Sequence, residues 1–172
     1  MNHKPMLNAY PDSLGGNLGD IVTLLKTEAM QDVFSSFYIL PSLYHSDLDR
    51  GFSVIDYDLN EQLANREDLD QLKNMGIDLK LDFILNHASA QSPQFQDLVE
   101  KGEASAYRDF FIDWNRFWEG HGTMTEEGYI QPEESCLKQM FFRKPGLPIL
   151  MVRFPDGREV PYWNTFYQEV RY

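Results

Sequence analysis

The stretch that most narrows the choice of fold runs Leu79-Lys80-Leu81-Asp82-Phe83-Ile84-Leu85-Asn86-His87-Ala88-Ser89. It begins as a short apolar run behind Gly76, a helix-stopping glycine, and ends in the polar pair Asn86-His87. In parallel α/β proteins the strands are buried, and residues at their C-terminal ends carry the chemistry. Taken alone, the stretch also fits a core strand closed by a hydrogen-bonded histidine. Its neighbours decide between the two.

Two comparable runs precede it. Residues 6–10, Met6-Leu7-Asn8-Ala9-Tyr10, read as a first strand stopped by Pro11-Asp12-Ser13. The glycines at 15, 16 and 19 lack the dinucleotide and Gly-Lys-Ser/Thr patterns, so they read as a connecting loop. Asp20 stands where a helix N-cap belongs, before Ile21, Val22, Leu24, Leu25 and Ala29 at helical spacing. Residues 33–40 form a second strand, rich in aromatic and β-branched side chains and closed by Pro41.

Residues 42–60 read as a long loop containing Tyr44, His45, Asp47, Asp49, Arg50, Phe52, Asp56 and Tyr57, and this mixed aromatic and carboxylate content favours a functional one. Asn65 and Asp68 form a capping-box pattern ahead of Leu69, Leu72 and Met75, with Gly76 after them. Residues 77–85 are then the third strand. Strand, helix, strand, helix, strand with right-handed crossovers is a parallel α/β unit, either doubly wound or the opening of a (β/α)8 barrel.

Ser92-Pro93 starts another helix over Phe95, Leu98 and Val99, ended by Gly102. Beyond it the periodicity is lost. Residues 107–118 are dense in aromatics, with Trp114 and Trp118 at core spacing, and residues 119–135 are rich in Gly, Glu and Thr. Pro155-Asp156-Gly157 between two apolar runs signals a β-hairpin. An irregular insertion with an antiparallel hairpin, directly after a third parallel strand, is an uncommon arrangement.

Asp82-Phe83-Ile84-Leu85-Asn86-His87 resembles the first short motif of the α-amylase family, glycoside hydrolase family 13, at the end of barrel strand three. The insertion resembles that family's small domain between strand three and helix three. Within the family, Asp49-Arg50-Gly51-Phe52-Ser53-Val54-Ile55-Asp56-Tyr57, Arg143-Lys144-Pro145-Gly146-Leu147-Pro148, and Phe154-Pro155-Asp156-Gly157-Arg158 followed by Pro161-Tyr162-Trp163-Asn164-Thr165-Phe166 are similar to stretches of sucrose phosphorylases and glucosylglycerate phosphorylases.

The resemblance implies the first three β/α units of a (β/α)8 TIM barrel over residues 1–90, and a helix plus the insertion over residues 91–172. His87 is expected to donate to a glucosyl hydroxyl, Asp49 to accept from the sugar's distal hydroxyls, and Phe52 to wall the pyranose ring. Asp82 and Asn86 are expected behind them, orienting neighbouring groups. Arg143 and Lys144 are expected on the acceptor side, where a basic pair suits phosphate. Read without the resemblance, Asp49-Arg50 is a solvated ion pair, Phe52 is loop packing and Arg143-Lys144 is surface charge. His45 and His121 are expected to be exposed and carry no assigned role.

The activity implied is retaining transfer of an α-glucosyl group from sucrose or glucosylglycerate to inorganic phosphate, with no cofactor and no metal. Retaining enzymes need two carboxylates roughly 5 Å apart. In the family these follow strands four and five, and no Arg-x-Asp motif follows the third strand here. Glu133, Glu134, Asp109 and Asp113 fall in the insertion rather than at strand ends. The expectation is an N-terminal part of such an enzyme, truncated, split or incompletely sequenced. It would be inactive alone, with two open sheet edges, unless a C-terminal half completes it. A non-catalytic remnant and a fragment of an amylase-type or α-glucosidase-type hydrolase stand beside this reading.

Composition sets the outer limits. The net charge of −12 disfavours nucleic acid and anionic membranes. One cysteine, Cys136, excludes an internal disulfide and fits a reducing compartment, and no apolar signal core opens the chain. A cytoplasmic location is expected.

Overall fold

The structure, a computed structural model, describes residues 4–140, 142 and 145–165, with Asp49 described by its backbone. It separates into two compact units, Met1–Ser89 and Ala90–Tyr172.

The first unit is built on strands β1 (Met6–Ala9) and β2 (Ser36–Ile39), with helix α1 (Leu18–Leu25) between them. Next come a short antiparallel pair, β3 (Tyr44–Ser46) and β4 (Val54–Leu59), then helix α2 (Arg66–Asn74) and strand β5 (Asp78–Leu81). β1, β2 and β5 lie side by side in that order, both pairs parallel. The expected strand-helix alternation is therefore present, folded as two βαβ units.

Register explains the core. Phe37 lies level with Leu7 and Leu79, and Ile39 with Ala9 and Leu81, so these side chains share one face of the sheet. That face is covered by Leu18, Ile21, Val22 and Leu25 of α1 and by Leu72 of α2, all buried. The row is buried at its centre and open at its end. Phe37 and Ile39 are 0% exposed, whereas Leu79 and Leu81 are 38% and 37% exposed. Among the described residues β5 has a strand on one side only, so its half of the apolar row lacks a cover.

The helix ends follow local chemistry. Asn65 accepts from the Asp68 N–H while Asp68 accepts from the Asn65 N–H, both at 2.9 Å, which is the expected capping box. Replacing Asn65 by Ala is expected to cost about 1 kcal/mol and Asn65→Asp much less, read from the denaturation midpoint. At α1 the cap is Asn17 rather than Asp20. Asp20 sits inside the first turn and accepts from the Gly16 N–H at 2.6 Å, a carboxylate well placed at a helix N-terminus.

Further boundaries differ from the sequence reading: α1 ends at Leu25, short of Ala29, where the Lys26 N–H already bonds both the Val22 and Thr23 carbonyls. Val33 belongs to the turn that follows α1, where its N–H bonds the Met30 carbonyl and is spent there, and Phe34 precedes β2. β5 stops at Leu81 because its partner β2 runs into Pro41, and the Asp82 N–H to Pro41 carbonyl bond is the last in the row. Residues 42–60 are not a plain loop: β3 and β4 pair as a hairpin around the 3-10 turn Asp49–Gly51. The run Val54-Ile55-Asp56-Tyr57 had the composition of a strand.

The second unit opens with α3 (Pro93–Lys101), capped by Ser92 and ended by Gly102. Gly102 has φ 54°, and a Cβ there would stand 3.0 Å from the Phe154 ring, so the position requires glycine. Then follow α4 (Trp114–Phe117), the pair β6 (Gly122–Met124) and β7 (Ile130–Pro132), α5 (Glu134–Leu137), and the hairpin β8 (Ile149–Arg153) and β9 (Glu159–Trp163). The hairpin turns at Pro155-Asp156-Gly157, as the sequence indicates. Trp114 and Trp118 are buried with Ile130, and the Trp114 indole N–H donates to the Ile130 carbonyl at 2.8 Å. A second cluster joins Phe95, Leu98, Val152, Phe154 and Tyr162. Among the described residues no helix is long and apolar enough to cross a membrane.

Candidate functional site

The C-terminal ends of β1, β2 and β5 bring together Tyr10 and Asp12, the β3–β4 hairpin, and residues 82–89. Short hydrogen bonds hold these three segments as a unit. The His87 imidazole Nε2 lies 2.9 Å from the Phe52 carbonyl oxygen. A carbonyl only accepts, so Nε2 carries the proton and donates. The Ser89 hydroxyl donates to Asp47 Oδ2 at 2.8 Å, and the Ser89 N–H bonds the Val54 carbonyl at 2.8 Å. The tail of β5 is thus laced to the hairpin.

Of the expected site residues, the structure brings His87 and Phe52 into direct contact and places Asp49 at the head of the intervening turn, Asp49–Gly51. The resemblance implied that His87 donates to a sugar hydroxyl. Here its Nε2 proton is taken by Phe52, so a sugar would have to share or displace that bond. Asn86 is exposed at the same rim. Arg143 and Lys144 lie outside the described residues.

Asp82 sits beneath the rim and accepts from the Tyr38 hydroxyl at 2.6 Å. That bond, burial and the carboxylate's charge together raise the Tyr38 pKa, so the phenol stays protonated and keeps donating. Lys80 places its ammonium 4.1 Å from the centre of the Tyr38 ring. Asn8, Tyr38 and Lys80 are level across the three strands, and form a polar row on the face opposite the Phe37 core.

The sequence reading named Tyr44, His45, Asp56 and Tyr57 as content of a functional loop but gave none of their contacts. Tyr44, Tyr57 and Phe83 form an aromatic cluster with ring centres 4.8 to 6.3 Å apart. The Tyr57 hydroxyl donates to the Ile84 carbonyl, and burial, then Tyr44, raises its pKa. His45 is not a bystander: its Nδ1 meets Asp56 Oδ1 at 2.7 Å. The alternation of Val54, Asp56 and Asp58 with Ile55, Tyr57 and Leu59 was the available signal for the strand that carries Asp56 and Tyr57. Among the described residues no group of three or more His, Cys, Asp or Glu side chains is placed to hold a metal ion.

The catalytic-domain pattern of the α-amylase family matches residues 9–143. The chain belongs to the α-amylase family. This α-amylase-family chain is 58% identical over 168 residues to the sucrose 6(F)-phosphate phosphorylase of Ilumatobacter coccineus, covering 98% of this chain and 32% of that protein. It is 35% identical to the sucrose phosphorylase of Streptococcus mutans over 97% of its own length and 32% of the relative's. Its fold superposes on the crystal structure of sucrose 6F-phosphate phosphorylase from Thermoanaerobacter thermosaccharolyticum with a TM-score of 0.81 and 32% identity, covering 98% of this chain and 32% of that one. The chain therefore spans about a third of the length of the relatives it matches. It corresponds to the N-terminal portion of their (β/α)8 barrel. β1, β2 and β5 are the parallel strands of that portion.

Proposed function

We propose that this chain is the donor-sugar-holding part of a retaining phosphorylase that moves the α-glucosyl group of sucrose 6F-phosphate, or of sucrose itself, to inorganic phosphate. The observation that carries this reading is the 58% identity over nearly the whole chain to a sucrose 6(F)-phosphate phosphorylase. The geometry supports it: His87 and the turn bearing Asp49 and Phe52 form one braced unit at the strand ends. That is where a (β/α)8 barrel binds substrate.

In this reading Asp49 accepts from the distal hydroxyls of the glucosyl ring, Phe52 packs on the ring face, and His87 bonds a hydroxyl while bracing Phe52. A carboxylate suits the first role because each of its oxygens accepts charge-assisted bonds from hydroxyls. Asp82, held by Tyr38, and Asn86 support the rim. Arg143 and Lys144 are assigned by family resemblance to the acceptor, because a basic pair steadies an anionic phosphate. The nucleophile and the acid/base carboxylate come from barrel strands beyond this chain. Double displacement then proceeds through a covalent glucosyl intermediate opened by phosphate, giving glucose 1-phosphate.

The test joins residues 1–172 in frame to the portion of the Ilumatobacter enzyme that follows its matched segment. This joined protein is expected to form glucose 1-phosphate from sucrose 6F-phosphate only when inorganic phosphate is present. Free glucose released at the same rate with and without phosphate would replace the phosphorylase reading with a hydrolase one.

A further inference from the structure

The turn that carries Asp49 and Phe52 is held in place by a residue with no assigned role. Arg50 has φ 51° and ψ 42°, the left-handed region that a β-carbon disfavours. A non-glycine residue stays there only where its surroundings over-determine it. Two contacts do so. The Arg50 guanidinium bonds Asp12 Oδ1 at 2.6 Å and lies 4.2 Å from the centre of the Tyr10 ring. Both partners stand at the end of β1, so Arg50 ties the turn after β3 to the first strand.

The next residue tightens the same junction. Gly51 is buried with φ 103°, and a Cβ there would stand 2.9 Å from Pro41 Cγ, at the end of β2. With the His87 to Phe52 carbonyl bond on the β5 side, the turn is braced against all three parallel strands. The turn is closed at its base by the Asp47 N–H to Ser53 carbonyl bond at 3.1 Å, while the Gly51 and Ser53 N–H groups both reach the Leu48 carbonyl at 3.4 and 3.3 Å. The outside braces add to that closure and fix where the turn sits against the strands.

We propose that Arg50 is a positioning residue, whose paired contacts to Asp12 and Tyr10 set the Asp49–Phe52 turn in its sugar-holding shape. Both contacts use the guanidinium's distinctive features, its fork of donors and its flat face. A lysine keeps the charge but loses the flat stack, and a glycine accepts the backbone conformation but keeps neither contact. The inference rests on the reading of Asp49 and Phe52 as donor-binding residues, and it is tested by two measurements, one of which does not involve sugar.

In the joined protein, Arg50→Ala and Arg50→Gly are each expected to raise the donor KM about tenfold, near 1.4 kcal/mol, with kcat changed much less, and Asp12→Asn, which keeps the Tyr10 contact, about threefold. Arg50→Lys is expected to fall between Arg50→Ala and the parent. Arg50→Ala combined with Asp12→Asn is expected to be no worse than Arg50→Ala alone, since Arg50→Ala already removes the bond that Asp12→Asn weakens. Amide hydrogen exchange at residues 48–53 is expected to quicken about tenfold in Arg50→Ala while β1, β2 and β5 keep their protection. Unchanged exchange in the turn would overturn the positioning role whatever the sugar kinetics show. Quickened exchange with an unchanged KM would overturn its link to the donor site. Parental behaviour of Arg50→Gly would reduce Arg50 to a bystander.

Discussion

In the joined protein, His87→Ala is expected to lower kcat/KM for the glucosyl donor about a hundredfold, close to 2.7 kcal/mol. Two losses combine. The sugar hydroxyl loses a partner inside a site from which water is displaced, where a missing hydrogen bond leaves a group unpaired. The Phe52 carbonyl also loses the donor that now holds it at 2.9 Å, so the wall against the ring loosens. His87→Gln keeps an N–H donor on a side chain of similar reach and is expected to recover about a tenth of the parental value, a loss of 1.4 kcal/mol. Thermal midpoints measured alongside separate site effects from unfolding. An alanine variant within a factor of three of the parent would remove His87 from the donor site.

The 172-residue chain alone is expected to self-associate, because its third parallel strand continues into an uncovered apolar row. Leu79, Leu81, Phe83 and Leu85 are 38%, 37%, 60% and 72% exposed. Together with the edge of β5 that has no strand beside it among the described residues, that row is a template for pairing with another chain. Covering four half-exposed side chains of this size is worth on the order of 1 kcal/mol each. Sedimentation is expected to show oligomers at micromolar concentration, which a separately expressed remainder of the barrel suppresses. Leu81→Lys with Leu85→Lys is expected to yield a monomer that no longer combines with that remainder. A monodisperse parental chain would mean that the row finds its cover within the chain.

The fold was legible wherever it rests on neighbours in sequence. The Asn65-Asp68 box, the Ser92-Pro93 start, the Pro155-Asp156-Gly157 turn and the pair Trp114 and Trp118 all depend on residues within a few positions of one another. The β3–β4 hairpin was not legible, because its register is interrupted between Tyr44 and Ser46 and no turn dipeptide marks it. The site was legible only in part, for a similar reason. His87 meets a carbonyl 35 positions away, Tyr38 meets a carboxylate 44 positions away, and Arg50 reaches back 38 positions to Asp12. No local pattern announces such contacts. The roles of Asp49, Phe52 and His87 came through family resemblance, and the structure adds what holds two of them together.

Division of labour is the central claim: this chain supplies the grip on the donor sugar, and the remaining barrel strands supply the chemistry. The most direct measurement compares glucose 1-phosphate production by the 172-residue chain with that of the joined protein, under the same sucrose 6F-phosphate and inorganic phosphate. The account predicts no turnover by the chain alone and phosphate-dependent turnover by the joined protein. Turnover by the purified chain alone, abolished by His87→Ala, would contradict it and place the reacting carboxylates within these 172 residues.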